Sequence, residues 1–371
     1  MEGFPNFPDN VQIEILSRLS AKDLCTCRCV SKTWFHLIAL PFFQKLHFNR
    51  SKRNPRLLFL SDSTDPCCNL SMASLSDDGS VILDTFSSHI TDRISRRYIS
   101  GCDLVCVIDG DAVYVSNPST HEVAKLPDFK YTSLPDFRYP SFKTAGVGLG
   151  YVEATSEYKI IRFYFLPHRV FIYQVGVEIF TLQEGRPDSG FWRELPNCSP
   201  IDLAWIESVL LLNGSLYWLL VTELYGSHKI LSFDLEHEEF ANVCCPEGFP
   251  CMDDGDRADL IEVKGVLCLS HYLHKDSVIN LWMLIKDHET QLWVKEFVID
   301  LHGMWGSCMV LGYVPLDDHF GGISIWSIEQ SSLLFYDIDS KSFTRVSKLT
   351  NIPGNTLQGL YFDTMFSLRN T

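Results

Sequence analysis

The sequence predicts an α+β multidomain chain: a small N-terminal head of three helices followed by a mostly-β, propeller-like body of about six blades. Three observations carry this expectation. Helical spacing of apolar residues is confined to the first fifty or so positions. From Leu57 onward, short runs rich in Val, Ile, Leu, Phe and Tyr alternate with turn residues such as Asp77-Asp78-Gly79, Asp109-Gly110-Asp111 and Asn213-Gly214. One strand–turn–strand frame then recurs along that body.

In the head, Val11, Ile15, Leu16 and Leu19 recur at helical spacing, with Asp9 placed to cap the first helix. Ser20-Ala21-Lys22-Asp23 fits a capping box, in which the hydroxyl and the carboxylate satisfy free N–H groups of a second helix. A third helix can begin at Ser31, carry Trp34, Leu37 and Ile38, and stop at Pro41. Three short helices bury little core alone, and Trp34, Phe35, Phe42 and Phe43 add more apolar surface than they can hide. Either the stretch is the first layer of a larger domain, or it is a module that completes itself against a partner.

In the body, Ile230-Leu231-Ser232-Phe233-Asp234-Leu235 aligns without gaps on Leu333-Leu334-Phe335-Tyr336-Asp337-Ile338, and Val113 to Val123 fits the same frame. Looser copies run from Val177 to Leu182 and from Leu281 to Ile285. With Asn117, Thr181, Asp234, Leu284 and Asp337 as equivalent points, the steps are 64, 53, 50 and 53 residues. The Asp or Asn carries the turn, because its side chain can bond the backbone two residues on. Units of about fifty residues with several strands each have the period of a kelch-like propeller. The stretch Leu357 to Leu368 is expected to supply the closing strand, and a β-sandwich or barrel is the alternative architecture. The longest step contains a duplication, Leu126-Pro127-Asp128-Phe129-Lys130-Tyr131-Thr132-Ser133 followed by Leu134-Pro135-Asp136-Phe137-Arg138-Tyr139-Pro140-Ser141. It reads as a loop insertion between blades, either a contact surface or a tolerated slippage product. The expected domains are 1–50 for the head, 51–56 for a polar connector and 57–371 for the body.

Composition narrows the function classes. The chain has 371 residues and a formal net charge of −15. Residues 1–56 hold nine Lys/Arg and four Asp/Glu, so the head is basic and the body strongly acidic. An acidic body argues against a nucleic-acid partner, while a basic head suits an acidic docking surface or is a chance fluctuation. No apolar run reaches membrane-spanning length; Val209 to Val221 is broken by the hairpin dipeptide Asn213-Gly214. Met1-Glu2-Gly3-Phe4-Pro5 lacks the basic and apolar regions of a secretory signal, so thirteen scattered cysteines are expected as free thiols in the cytoplasm or nucleus.

No catalytic constellation emerges. Gly148-Leu149-Gly150 lacks the third glycine of a dinucleotide site and reads as a strand packed closely on its neighbours. Cys268, His271 and His274 are ligand types, but strand alternation is expected to keep them apart, and no metal or other cofactor is expected. The Cys244-Cys245 and Cys251 group and the Cys25, Cys27 and Cys29 series read as small packed hydrophobes. Met252-Asp253-Asp254-Gly255-Asp256 reads as a solvated acidic turn rather than a calcium loop. Trp192, Trp218, Trp282 and Trp293 are expected in blade cores.

Two resemblances sharpen this reading. The head resembles an F-box: Phe7-Pro8-Asp9 stands for the opening Leu-Pro-x-Asp, Ile15-Leu16-Ser17-Arg18-Leu19 for the first helix, and Leu24, Val30 and Trp34 for the frame that follows. Phe7 and Ser20 depart from the usual Leu and Pro. The body resembles the F-box-associated domain of the large plant F-box group, through Asn117-Pro118-Ser119-Thr120 with Lys125-Leu126-Pro127, Gly148-Leu149-Gly150-Tyr151 with Glu157-Tyr158-Lys159-Ile160-Ile161-Arg162, Asn213-Gly214-Ser215-Leu216-Tyr217-Trp218, Ser232-Phe233-Asp234-Leu235, and Lys264-Gly265-Val266-Leu267-Cys268. Val107-Ile108-Asp109 and Tyr217 depart from its pattern. The resemblance implies docking on a Skp-type adaptor, and through it on cullin and RING subunits of an SCF-type ubiquitin ligase, with the β body capturing a protein target. It implies a non-catalytic subunit, and Pro8, Ile15, Leu16, Leu19, Leu24, Val30 and Trp34 as the adaptor-facing or core-forming positions. The alternatives are a partner-sequestering protein that assembles no ligase, and a propeller enzyme or lectin, which the missing polar cluster disfavours.

Overall fold

A computed structural model describes residues 7–61, 69–75, 81–87, 97–100, 103–109, 112–129, 144–166, 174–195, 205–222, 227–249, 253, 255–287, 290–301, 306–315, 321–348 and 355–369. Most of the duplicated stretch falls outside them, as does Cys251. Four helices come first: α1 (Asp9–Leu16), α2 (Ala21–Cys27), α3 (Lys32–Ala39) and α4 (Pro41–Ser51). Pro8, not Asp9, is the N-cap of α1, its extended backbone (φ −53°, ψ 147°) leading straight into the helix. Ser20 caps α2 by accepting from the Asp23 N–H at 3.1 Å, and Ser31 caps α3 by accepting from the Trp34 N–H at 3.1 Å. The Asp23 carboxylate accepts from the Ser20 hydroxyl at 2.7 Å.

A fourth helix joins the three expected ones. Pro41 ends α3, but at the first position of α4 its missing N–H costs nothing and its fixed φ favours a new helix. Helix α4 runs to Ser51, and the first strand begins at Arg56.

The body is six four-stranded antiparallel sheets. Five are continuous in sequence, spanning 97–125, 144–194, 205–243, 257–300 and 308–348. The first blade combines strands within 56–87 with Asn355–Tyr361, which pairs antiparallel with Arg56–Ser61 and forms that blade's inner edge. The inner strands of neighbouring blades touch around the ring, including Asn355–Tyr361 with the blades on either side. The closing strand is therefore C-terminal, as expected, but it ends at Tyr361, and residues 362–368 continue as extended, non-strand backbone.

The repeat frame read from sequence falls in register. Asn117, Thr181, Asp234, Leu284 and Asp337 all lie on the third strand of their blades. Asp234 Oδ1 accepts from the backbone of Glu236 and His237, both at 2.8 Å. Asp337 Oδ1 accepts from Asp339 and Ser340, at 2.8 and 3.1 Å. Asn117 Oδ1 accepts from Ser119 and Thr120, at 3.0 and 3.3 Å. These backbone donors hold the Asp234 and Asp337 carboxyls below the ordinary range, led by the His237 and Ser340 N–H groups respectively. In each case the residue four positions on adopts a positive φ: His121, Glu238 and Lys341. Asn213-Gly214 and Lys264-Gly265 each place two residues at positive φ, the two-residue hairpin geometry.

Cores lie between blades. Gly148, on the inner strand Thr144–Val152, shows why that position has no side chain: a Cβ there would sit 2.5 Å from Trp218 Cζ2. Trp218 is fully buried and meets Phe163 edge-to-face at 5.0 Å. Trp192 precedes a short strand rather than lying on one; its Nε1 donates to the Pro127 carbonyl at 2.9 Å and its ring packs on Phe129 and Phe180. Trp282 and Trp293 pack, half-buried, between the fourth and fifth blades. Gly148→Ala should cost about 1–3 kcal/mol by overpacking against the indole. A chemical-denaturation midpoint equal to that of the parent would contradict this packing account.

Candidate docking surface on the helical head

The head has a complete core of its own making plus one borrowed residue. Leu16, Ala21, Leu24, Ile38 and Phe43 are fully buried together, and Met365 from the far end of the chain is buried among them. Arg50 ties α4 back to α1, donating to Glu14 Oε2 and to Ser17 Oγ, both at 2.6 Å. The Arg18 guanidinium and then the Arg50 guanidinium hold the Glu14 carboxyl below its usual range. His47 contacts the Leu19 carbonyl through Nε2 at 2.9 Å; burial pushes its pKa down.

This geometry sorts the residues that sequence alone left unsorted. Leu16 and Leu24 are core. Leu19 and Trp34 are half-buried, with Trp34 Nε1 donating to Gln12 Oε1 at 2.8 Å. Pro8, Ile15 and Val30 face solvent, with Ile15 51% and Val30 64% exposed. Phe7, Val11, Phe35, Leu40 and Phe42 are exposed as well. Among the described residues, seven of the twelve exposed large apolar side chains therefore lie on this head. They form a cluster of exposed apolar surface beside a core that is already packed, which makes this face the candidate docking surface.

The head is seated against one end of the propeller. It reaches Ser119, in the third-to-fourth-strand turn of the second blade, through Asp363. Lys45 meets Glu153, in the first-to-second-strand turn of the third blade, at 2.8 Å. Antiparallel blades put both kinds of turn on one face. A cavity of about 730 Å³ lies there, lined by Phe48 and Lys52 of the head, Phe362 and the Asn213-Gly214 and Lys264-Gly265 turns. It adjoins a central channel of about 540 Å³ whose polar lining includes Glu207, Arg257, Asp259 and Glu262. Arg257 Nε donates to Asp259 at 3.0 Å, and burial pushes the Asp259 carboxyl up.

Beside the seam, Asp103 is buried and accepts from the Tyr158 hydroxyl and from the Leu104 N–H at 3.0 Å. Burial raises its pKa to about 6, against the hydrogen bonds that lower it.

The sequence-noted thiols and imidazoles do not converge. Cys268 is buried in the core between the fifth and sixth blades. His271 is buried against the Phe249 ring at 5.1 Å, while His274 is exposed in a turn. Asp253 is exposed and pairs with Lys275 at 2.7 Å. Among the described residues, no three His, Cys, Asp or Glu side chains are grouped as metal ligands, and no helix is long and apolar enough to cross a membrane.

Residues 4–45 match the F-box domain, and residues 56–358 match the F-box associated beta propeller domain. The chain belongs to the F-box associated beta propeller family. It is similar to the Arabidopsis thaliana F-box protein At5g49610, 27% identical over 84% of this chain and 86% of that one. It is also similar to the F-box/kelch-repeat protein At4g19930 of the same plant, 26% identical over 80% and 70% of the two chains. A third relative there, F-box protein At2g40925, is 25% identical over 93% and 87%.

Two expectations follow. Leu16→Ala should destabilise the head by about 2–5 kcal/mol, whereas Ile15→Asp should change stability by less than about 0.5 kcal/mol; equal losses in thermal unfolding would contradict the assigned roles. Asp103, with its folded pKa raised above the unfolded 3.8, favours the folded state below that value and loses the contribution as pH rises through about 6. Asp103→Asn should therefore stabilise the chain at pH 7.5 by on the order of 2 kcal/mol, with the gain shrinking toward pH 4. Denaturation series at the two pH values check the sign.

Proposed function

We propose that this chain is the substrate-recognition subunit of an SCF-type cullin-RING ubiquitin ligase, working in the cytoplasm or nucleus. The head docks on a Skp-type adaptor, with Pro8, Ile15 and Val30 in contact and Leu19 and Trp34 at the margin. Leu16 and Leu24 support that surface from beneath. One observation carries the reading: large apolar side chains stay exposed on helices whose core is already complete. The basic charge of residues 1–56 would steer the encounter with an acidic adaptor.

The propeller captures a protein target. Because the head sits on one face, capture falls to the opposite face, formed by the second-to-third-strand turns and the connections between blades. The body's acidic charge favours a target with a basic face. The chain supplies no catalytic residue; it contributes proximity, raising the effective concentration of target lysines at a ubiquitin-charged enzyme held elsewhere in the assembly.

The test is a pull-down of the full-length chain with a purified Skp-type adaptor. The parent should bind stoichiometrically. Ile15→Asp combined with Val30→Asp should weaken binding at least about 100-fold, because each change puts a charge where an apolar anchor sat at the centre of the interface, while the melting curve stays the same. A folded parent chain that does not bind the adaptor would refute the ligase reading and leave a sequestering protein.

A further inference from the structure

Asp363 sits where four parts of the chain meet. Its Oδ2 accepts from Arg56 Nη2 at 2.8 Å and, at 3.5 Å, from the backbone N–H of Ala21. Its Oδ1 accepts from the Ser119 hydroxyl at 2.8 Å, and its carbonyl accepts from the Ser51 hydroxyl at 3.2 Å. Ala21 opens α2 and Ser51 closes α4; Arg56 starts the first strand of the propeller; Ser119 belongs to the second blade. The carboxylate is nearly buried, and the side chains of Arg56 and Asp363 are 17% and 10% exposed, so the pair is shielded from solvent screening.

The residues around Asp363 reach into both bodies. Phe362 meets Phe48 of α4 edge-to-face at 6.4 Å. Met365 enters the head core. Phe366 and Leu368 enter the core between the second and third blades. The segment's backbone is held too: Asn117 Nδ2 donates to the carbonyls of Thr364 and Phe366, at 3.2 and 2.9 Å, and the Leu368 N–H donates to Glu122 at 2.6 Å.

The covalent link between head and body is residues 52–55 alone. A single short tie leaves a swivel, whereas two separated ties fix an angle. We propose that residues 362–368 are a rigid coupling that sets the orientation of the head on the propeller, with Asp363 as its positioning residue. Granted the ligase reading above, the coupling fixes where a target on the far face is presented to the ubiquitin-charged enzyme. The coupling itself stands independently of that reading.

Two fluorophores carried on unnatural side chains, at exposed Thr33 on α3 and exposed Lys229 on the fourth blade, report the head-to-body distance in the full-length chain. The parent should give one narrow distance distribution. Asp363→Ala should broaden it about twofold, while the adaptor affinity stays within about twofold of the parent, because a head that swivels is still a folded head. Asp363→Asn keeps one acceptor oxygen, enough for Ser119, but turns an NH2 donor toward Arg56 and the Ala21 N–H and loses the charge, and should broaden the distribution as well. If Asp363→Ala does not accumulate as folded protein, Phe48→Ala serves the same measurement by removing the ring that meets Phe362. A distribution as narrow as the parent's in the folded variants would overturn the coupling. Failure of the ligase reading would appear separately, as a parent chain that ignores the adaptor while the distances behave as described.

Discussion

The C-terminal strand and the segment behind it close this molecule twice. Asn355–Tyr361 completes the first blade and so joins the two ends of a ring of six sheets. A ring of separate sheets needs such a closure, because each blade buries its faces only against its neighbours. The next seven residues then pack under the head. The same short stretch therefore completes a blade of the ring and packs into the core of the helical head. Its side chains are buried in both directions, and its backbone is held by donors and acceptors more than 180 residues away.

Much of this architecture is legible in the residues. The turn frame can be read because an Asp or Asn at the end of a third strand performs the same local task at Asn117, Asp234 and Asp337, and local chemistry leaves a local pattern. Gly148 is readable as a site of close approach, although its neighbour Trp218, seventy positions away, is not. Helix α4 escapes a reading that takes Pro41 only as a stop, when proline is as good a start. The roles of Leu16 and Ile15 cannot be separated from periodicity alone: they are adjacent on the edge of one apolar stripe, and only the packing of α3 and α4 decides which is inside. Asp363 and Met365 leave the weakest trace. A polar hub whose partners come from positions 21, 51, 56 and 119 has no sequence spacing to recognise.

Function divides along the same seam. The head carries exposed apolar side chains and a basic balance of charge, the features on which the proposed docking rests. The body carries the negative charge and a channel with an Arg257–Asp259 pair and further carboxylates at Glu207 and Glu262. On the proposed reading, in which the head docks and the body captures, the chain acts through geometry, and the rate it adds is set by how well it places one bound molecule beside another.

The most direct test of this account is the mass of the complex formed when the full-length chain is mixed with a Skp-type adaptor and a cullin–RING pair, read by light scattering during gel filtration. The account predicts a single species holding one copy of each component, which forms with the adaptor present and not in its absence. Separate elution of the folded chain from an assembled adaptor–cullin–RING complex would contradict it.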